Sequence, residues 1–190
     1  CCGALSQHAG NPGKASAQAE QIRHAFDGEL DAVVSLASGC GIHIDSYQTP
    51  LAAGHQDICR FLLERGGLTR EDFEPLRTRA YLHTPCSVEN VYRGGEWAHR
   101  LLALIPGLEV VPVGEAGQCC GAAGDYMLRY PASADRLRRP LLDNLPDRTG
   151  VILLTSNVGC AMHLAVGLRG RDGKSEVLHP VDLLARQLRE

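Results

Sequence analysis

The chain has no apolar run long enough to cross a bilayer, for which about 20 residues are needed. Its most apolar stretches, Val151 to Thr155 with its flanks and Leu101 to Ile105, stop far short of that. Lysine and arginine never gather into a block, and a net charge of −3 is spread over both signs, so no surface for nucleic acid or an anionic membrane is advertised. No signal peptide or basic targeting segment is visible, so a soluble, cytoplasmic chain is expected. The sequence starts on Cys1 rather than methionine, and residues upstream of it are expected.

Eight cysteines in 190 residues are too sparse for a small secreted disulfide scaffold, and a chain with 44% hydrophobic residues can bury a core without staples. The Cys-x-x-Cys knuckles of structural zinc sites are missing, as is the ferredoxin run of close cysteines ending in Cys-Pro. Gly121-Ala122-Ala123-Gly124 has neither a G-x-G-x-x-G fingerprint nor a Walker lysine beside it, which argues against a nucleotide site.

What is present is a pair of adjacent cysteines with glycine after them, used twice: Cys1-Cys2-Gly3-Ala4 and Cys119-Cys120-Gly121-Ala122. Glycine permits a sharp turn, so that thiolates which would point to opposite sides of a strand can face one centre. The natural reading is a thiolate site for iron or zinc, built twice.

Along the chain, Ala4 to Gly10 reads as small and polar. Asn11-Pro12 reads as a helix start running to about Phe26. Leu30 to Leu36 reads as a buried strand delivering Cys40 to the turn Ser38-Gly39-Cys40-Gly41. Gly54 to Gly67 reads as a helix carrying Cys59, which is expected to be a buried small hydrophobe. Thr69 and Asp72 form a capping-box pattern, and residues 69–79 are the expected linker.

A strand over Arg79 to Thr84 leads to Cys86. After it come a helix from Trp97 to Ile105, a strand from Leu108 to Val113 and the Cys119-Cys120 loop. A helix over Ala132 to Leu145 begins near Pro131, with Pro140 as an expected kink or break. The strand Val151 to Ser156 ends in Asn157-Val158-Gly159-Cys160, matching Ala37-Ser38-Gly39-Cys40. A helix over 161–168, a strand near Val177 to His179 and a helix from Pro180 to Leu188 complete the pattern.

Strands alternating with helices call for parallel sheets in an α/β fold, with ligand-bearing turns at the carboxyl ends of strands. The repeat divides the chain into two halves, 1–78 and 79–190. The first lacks about one strand, one cysteine turn and one helix that the second has, so it is expected to be truncated at its N-terminus. In the second half Cys86, Cys119, Cys120 and Cys160 each come after a strand, and strand ends about 5 Å apart could bring four thiolates around one centre. The first half offers Cys1, Cys2 and Cys40. Four thiolates suit an iron-sulfur cluster or zinc, and the spacing alone does not separate them.

These elements, with the flanking text IPGLEVVPV, CCGAAGDYML, SNVGCAMHL and HPVDLL, resemble the cysteine-rich CCG domain family, in particular the C-terminal part of glycolate oxidase iron-sulfur subunits. The resemblance implies a tandem cysteine-rich domain, and two Rossmann-like halves with an iron-sulfur cluster of the [4Fe-4S] type are expected here; the two ferredoxin-type clusters of the family's full subunit lie N-terminal to this region, and no residue here matches them. It further implies electron transfer from a flavoprotein partner that oxidises glycolate or a similar 2-hydroxy acid toward a quinone acceptor, with peripheral attachment to the inner face of the membrane through the complex. A related subunit, that of heterodisulfide reductase, has Cys-x-x-Cys where this chain has Ala37 and Asn157, which puts its five-cysteine cluster in doubt here. A thiol-disulfide reductase subunit and a zinc-stabilised interaction domain are the alternatives. Histidines 8, 43, 83 and 163 stand near the cysteine turns as ligands or proton partners, or more simply as capping residues. Tyr126 and Tyr130, spaced as one helical face, are expected in the core.

Overall fold

The computed structural model describes residues 1–146, 150–169 and 174–189. Its centre is a parallel sheet of β3 (Arg79–Leu82), β4 (Glu109–Pro112), β5 (Ile152–Leu154) and β6 (Glu176–Leu178), in the order β4-β3-β5-β6. From β3 the chain passes to β4 on one side and then crosses back to β5 on the other, so the strand order reverses at β3. A crevice at the carboxyl ends of the strands is where such sheets hold their ligands.

Alternate residues along each strand serve opposite faces. Tyr81 and Leu153 meet Leu141 and Leu142 of α7 (Pro131–Asp143) and Leu164 and Leu168 of α8 (Val158–Arg169). Ala80, Leu82 and Leu154 face the other way, against Leu101 and Leu102 of α5 (Trp97–Leu102) and Leu183 and Leu184 of α9 (Pro180–Gln187). Cys59 of α4 (Ile58–Arg65) is 2% exposed within that second layer, where a small hydrophobe was expected.

A smaller parallel sheet pairs β1 (Val33–Ser35) with β2 (His55–Asp57). With α1 (Ala4–His8), α2 (Pro12–Ala25) and α3 (Ser38–Asp45) it encloses Cys2, Ala4, Val33, Ile44, Tyr47 and Leu51. The succession β1-α3-β2-α4 repeats as β5-α8-β6-α9. Both α2 and α7 begin with proline at the first turn, and Asn11 caps α2 by accepting the Lys14 N–H at 3.1 Å.

Several expectations are corrected. Cys40 and Cys160 lie in the first turns of α3 and α8 rather than in turns ahead of them. The helix expected from Gly54 begins only at Ile58, because His55 to Asp57 pair with β1, and a three-residue strand is too short for its alternation to be read. Pro140 does not end α7, which runs on to Asp143. Residues 69–79 form the expected capping box, with the Thr69 N–H donated to Asp72 at 2.7 Å, but they also carry Phe73 into the core at 1% exposure. Tyr126 and Tyr130 contact each other at the surface, Tyr130 being 57% exposed.

Asp57 caps α4 by accepting the Cys59 N–H at 2.8 Å, yet it is buried and its second oxygen has no partner among the described residues. Burial raises its pKa, against the weaker pull of the Cys59 N–H, His179 and His55. A carboxyl whose folded pKa exceeds its unfolded one costs stability as pH rises through that interval, and the cost persists above it. An asparagine side chain at this position would keep the capping acceptor without the charge. Asp57→Asn should therefore be more stable than the parent near neutral pH, with the difference closing in acid, as measured by urea unfolding. A difference independent of pH would contradict this account.

Candidate metal centre

Three strands deliver the cysteines of the second site. Beyond β3, His83-Thr84-Pro85 leads to Cys86; beyond β4, a loop with Gly114 and Gly117 at positive φ leads to Cys119 and Cys120; beyond β5, α8 begins with Cys160 in its first turn. Cys86 and Cys160 thus flank the crevice where the strand order reverses. The sulfurs of Cys120 and Cys160 lie 2.6 Å apart and buried. Burial, and after it the nearness of Cys119 and Cys120, pushes the Cys86 thiol up.

Within the buried pair the proton is shared unequally. Hydrogen bonds from the Cys160 thiol and from the Ala122 backbone draw Cys120 down despite its burial. Its partner Cys160 is pushed up, by that same bond and by burial. The Gly121 N–H also points at the Cys119 sulfur at 3.4 Å. Backbone N–H groups directed at sulfur are what a cluster's thiolates require.

The first site repeats this arrangement. Cys40 beside it, and after it the Ala4 backbone, draw Cys2 down to about 6 despite its burial, as Cys160 and the Ala122 backbone draw Cys120 down. Gly3 and Gly121 have φ of 94° and 86°, and a Cβ on either would stand 2.8 Å from the Ala15 carbonyl or 2.6 Å from that of Ala134. Ala15 and Ala134 are each the fourth residue of a helix opened by proline. Tyr47 closes the first site by donating its hydroxyl to the Cys2 carbonyl at 2.6 Å. Cys1 is exposed beside this pair.

Two of the four histidines near the cysteines, His83 and His163, have other employment. His83 is 1% exposed, and burial depresses its pKa. Its neutral ring spans Thr155 Oγ1 at 3.0 Å and the Gln118 carbonyl at 3.3 Å, tying the ends of β3 and β5 to the Cys119 loop. His163 donates from Nε2 to the Ala134 carbonyl at 3.2 Å, so it braces the helix on which Gly121 rests. Spacing flagged both residues but could not reveal these partners.

Among the described residues no three His, Cys, Asp or Glu side chains converge as the ligands of one ion. A structural zinc draws its sulfurs to about 2.3 Å from a common point, whereas a multinuclear cluster takes ligands further apart. The donor set of thiolates, glycine turns and inward N–H groups fits a cluster, whose binding would part the Cys120–Cys160 pair.

A doubly wound α/β protein with duplicated cysteine sites at its strand ends defines the class. The chain belongs to the CCG cysteine-rich domain family, whose model matches residues 1–45 and 80–165. It is 28% identical to the glycolate oxidase iron-sulfur subunit of Escherichia coli K12, over 99% of this chain and 48% of that protein. It is 28% identical to the probable glycolate oxidase iron-sulfur subunit of Bacillus subtilis 168, over 97% of this chain and 45% of that one. To lactate utilization protein A of Geobacillus thermodenitrificans NG80-2 the identity is 27%, over 97% and 82%. The chain spans about half the length of the two glycolate oxidase subunits.

Two outcomes check this geometry. Gly121→Ala should cost about 2–4 kcal/mol in thermal or urea unfolding, because the Cβ meets rigid backbone in a left-handed conformation. Oxidising the metal-free chain should give the disulfides Cys120–Cys160 and Cys2–Cys40 in peptide mapping; a dominant Cys86–Cys120 bond would show that the pairs are misassigned.

Proposed function

We propose that this chain is the cysteine-rich part of an iron-sulfur electron-transfer subunit in a flavin-dependent dehydrogenase of glycolate or a similar 2-hydroxy acid. The observation that carries this reading is the buried Cys120–Cys160 pair at the crevice, its sulfurs 2.6 Å apart, with Cys86 and Cys119 near enough to raise Cys160 and with the Gly121 N–H aimed at the Cys119 sulfur. The resemblance to glycolate oxidase iron-sulfur subunits extends it to a flavoprotein partner, a quinone acceptor, a cytoplasmic location and membrane attachment through the complex. Among the described residues no helix is long and apolar enough to cross a membrane. We further assign residues 1–78 and 79–190 to two CCG units, with Cys1, Cys2 and Cys40 as the first unit's ligands.

A bound cluster would supply one-electron transfer. The chain's own part is to hold thiolates at fixed spacing, to stabilise their charge with the Gly121 and Ala122 N–H groups, and to keep water from Cys120 and Cys160 by burial. Substrate oxidation belongs to the flavoprotein.

A second reading, thiol-disulfide exchange, is favoured by the two matched pairs in which one cysteine is drawn toward thiolate and its neighbour is kept protonated. Anaerobic reconstitution with iron and sulfide, then metal and sulfide analysis and visible absorption, separates the readings. We expect iron and labile sulfide in the parent. Cys120→Ser should lose most of the iron and Cys2→Ser little, because the first site has fewer thiolates. A chain that takes up no iron but reduces a model disulfide would establish the second reading.

A further inference from the structure

Cys86 is only partly buried, unlike Cys120 and Cys160 beside it. Directly after Cys86 and Ser87 the chain makes a π-helical turn, Val88–Tyr92, a local geometry that departs from the α-helix and is common at functional sites. Both ends of this segment are fastened to the first unit. Ser87 Oγ meets Ser38 Oγ at 2.9 Å, and the Tyr92 hydroxyl donates to Asp45 Oδ2 at 2.8 Å. Ser38 is the first residue of α3 and Asp45 the last, and Cys40 lies between them.

The anchors are themselves fixed. Ser38 is fully buried, its N–H donates to the Ser156 carbonyl at 3.2 Å, and its hydroxyl accepts from Asn157 Nδ2 at 3.0 Å. The other oxygen of Asp45 meets His55 Nδ1 at 2.9 Å, and His55 Nε2 meets Ser35 Oγ at 2.9 Å, which locks α3 to both strands of the smaller sheet. Gly41, in the middle of α3, leaves the space that Tyr92, His55 and Ser35 share: a Cβ there would stand 2.6 Å from the Tyr92 hydroxyl, 2.7 Å from His55 Cε1 and 2.8 Å from Ser35 Oγ.

We propose that Ser38, Asp45 and Tyr92 are positioning residues for the second cysteine site: helix α3, which carries Cys40 of the first site, is the splint that sets where Cys86 stands. The two sites are then one mechanical unit, and the first unit is needed for the geometry of the second whatever it binds itself. This inference rests on the reading of Cys86 as a ligand, but its primary test does not need a cluster.

In the metal-free chain, each cysteine's alkylation rate by limiting iodoacetamide is measured by peptide mass spectrometry for the parent, Tyr92→Phe and Gly41→Ala. Tyr92→Phe removes one hydroxyl and keeps the ring. Gly41→Ala adds helix propensity but presses on the Tyr92 hydroxyl, His55 and Ser35 together, so it shifts α3 against both of its anchors, and Cys59 reports any wider opening. Both should raise labelling of Cys86 about fivefold or more while the buried Cys59, which reports global opening, stays as in the parent. Rates at Cys86 within about twofold of the parent, or a rise shared equally with Cys59, would overturn the proposal. In reconstituted chain, Tyr92→Phe should also shift the paramagnetic resonance signature at unchanged iron content, and an unaltered signature would count against it. A parent chain that takes up no iron refutes the cluster reading and leaves the labelling result to decide this one.

Discussion

The structure depends on a close approach of backbone to backbone behind each cysteine pair. Gly121 presses against the Ala134 carbonyl, and Gly3 against that of Ala15, in a left-handed conformation that leaves no room for a Cβ. The turn swings the second cysteine of each pair inward, toward Cys160 or Cys40, and presents the N–H two residues on to its sulfur. It works only if the facing helix offers a small residue at the point of contact, and both helices place alanine there, one turn in from proline. His163 adds a hydrogen bond to the Ala134 carbonyl, so the surface on which Gly121 rests is held from the far side as well.

Thiols brought together in this way repel one another once ionised. Cys160 and Cys86 are both held above the ordinary thiol range partly by the charge of their neighbours, so the metal-free site cannot ionise all its cysteines at neutral pH. Were a cationic cluster core held there, Cys86, Cys119, Cys120 and Cys160 would bind it as thiolates and give up their protons, which would reverse that balance. The fold supplies the inward N–H groups and the burial; the positive charge is what the cysteines' arrangement calls for.

Much of this was legible in the sequence because the relevant signals are local. The doubled Cys-Cys-Gly, Asn11-Pro12, Pro131 and the valine- and leucine-rich strands each act through neighbouring residues, and each fell within a few residues of its observed place. The misses have a common cause. Residues 55–57 form a strand only because β1 lies beside them, Phe73 leaves its expected linker for a core built by distant helices, and the π-helical turn after Cys86 carries no compositional mark. The partners of His83 lie 35 and 72 residues away, so spacing could nominate it as a ligand but could not show that both ring nitrogens were already engaged.

Asn157 shows how far the two matched segments have diverged. In α8 its Oδ1 accepts the N–H groups of Gly159 and Cys160, at 3.0 and 3.2 Å, while its Nδ2 reaches across to Ser38. At the matching place α3 has Ala37, which offers no side-chain cap. A cysteine at 157 could ligate metal but would cap a helix poorly and could not donate to Ser38 as an amide does. Asparagine instead makes a joint that holds Cys160 to its helix and that helix to Ser38 of α3. The fold thus fixes where Cys160 stands through an amide shared between the start of its own helix and the start of α3.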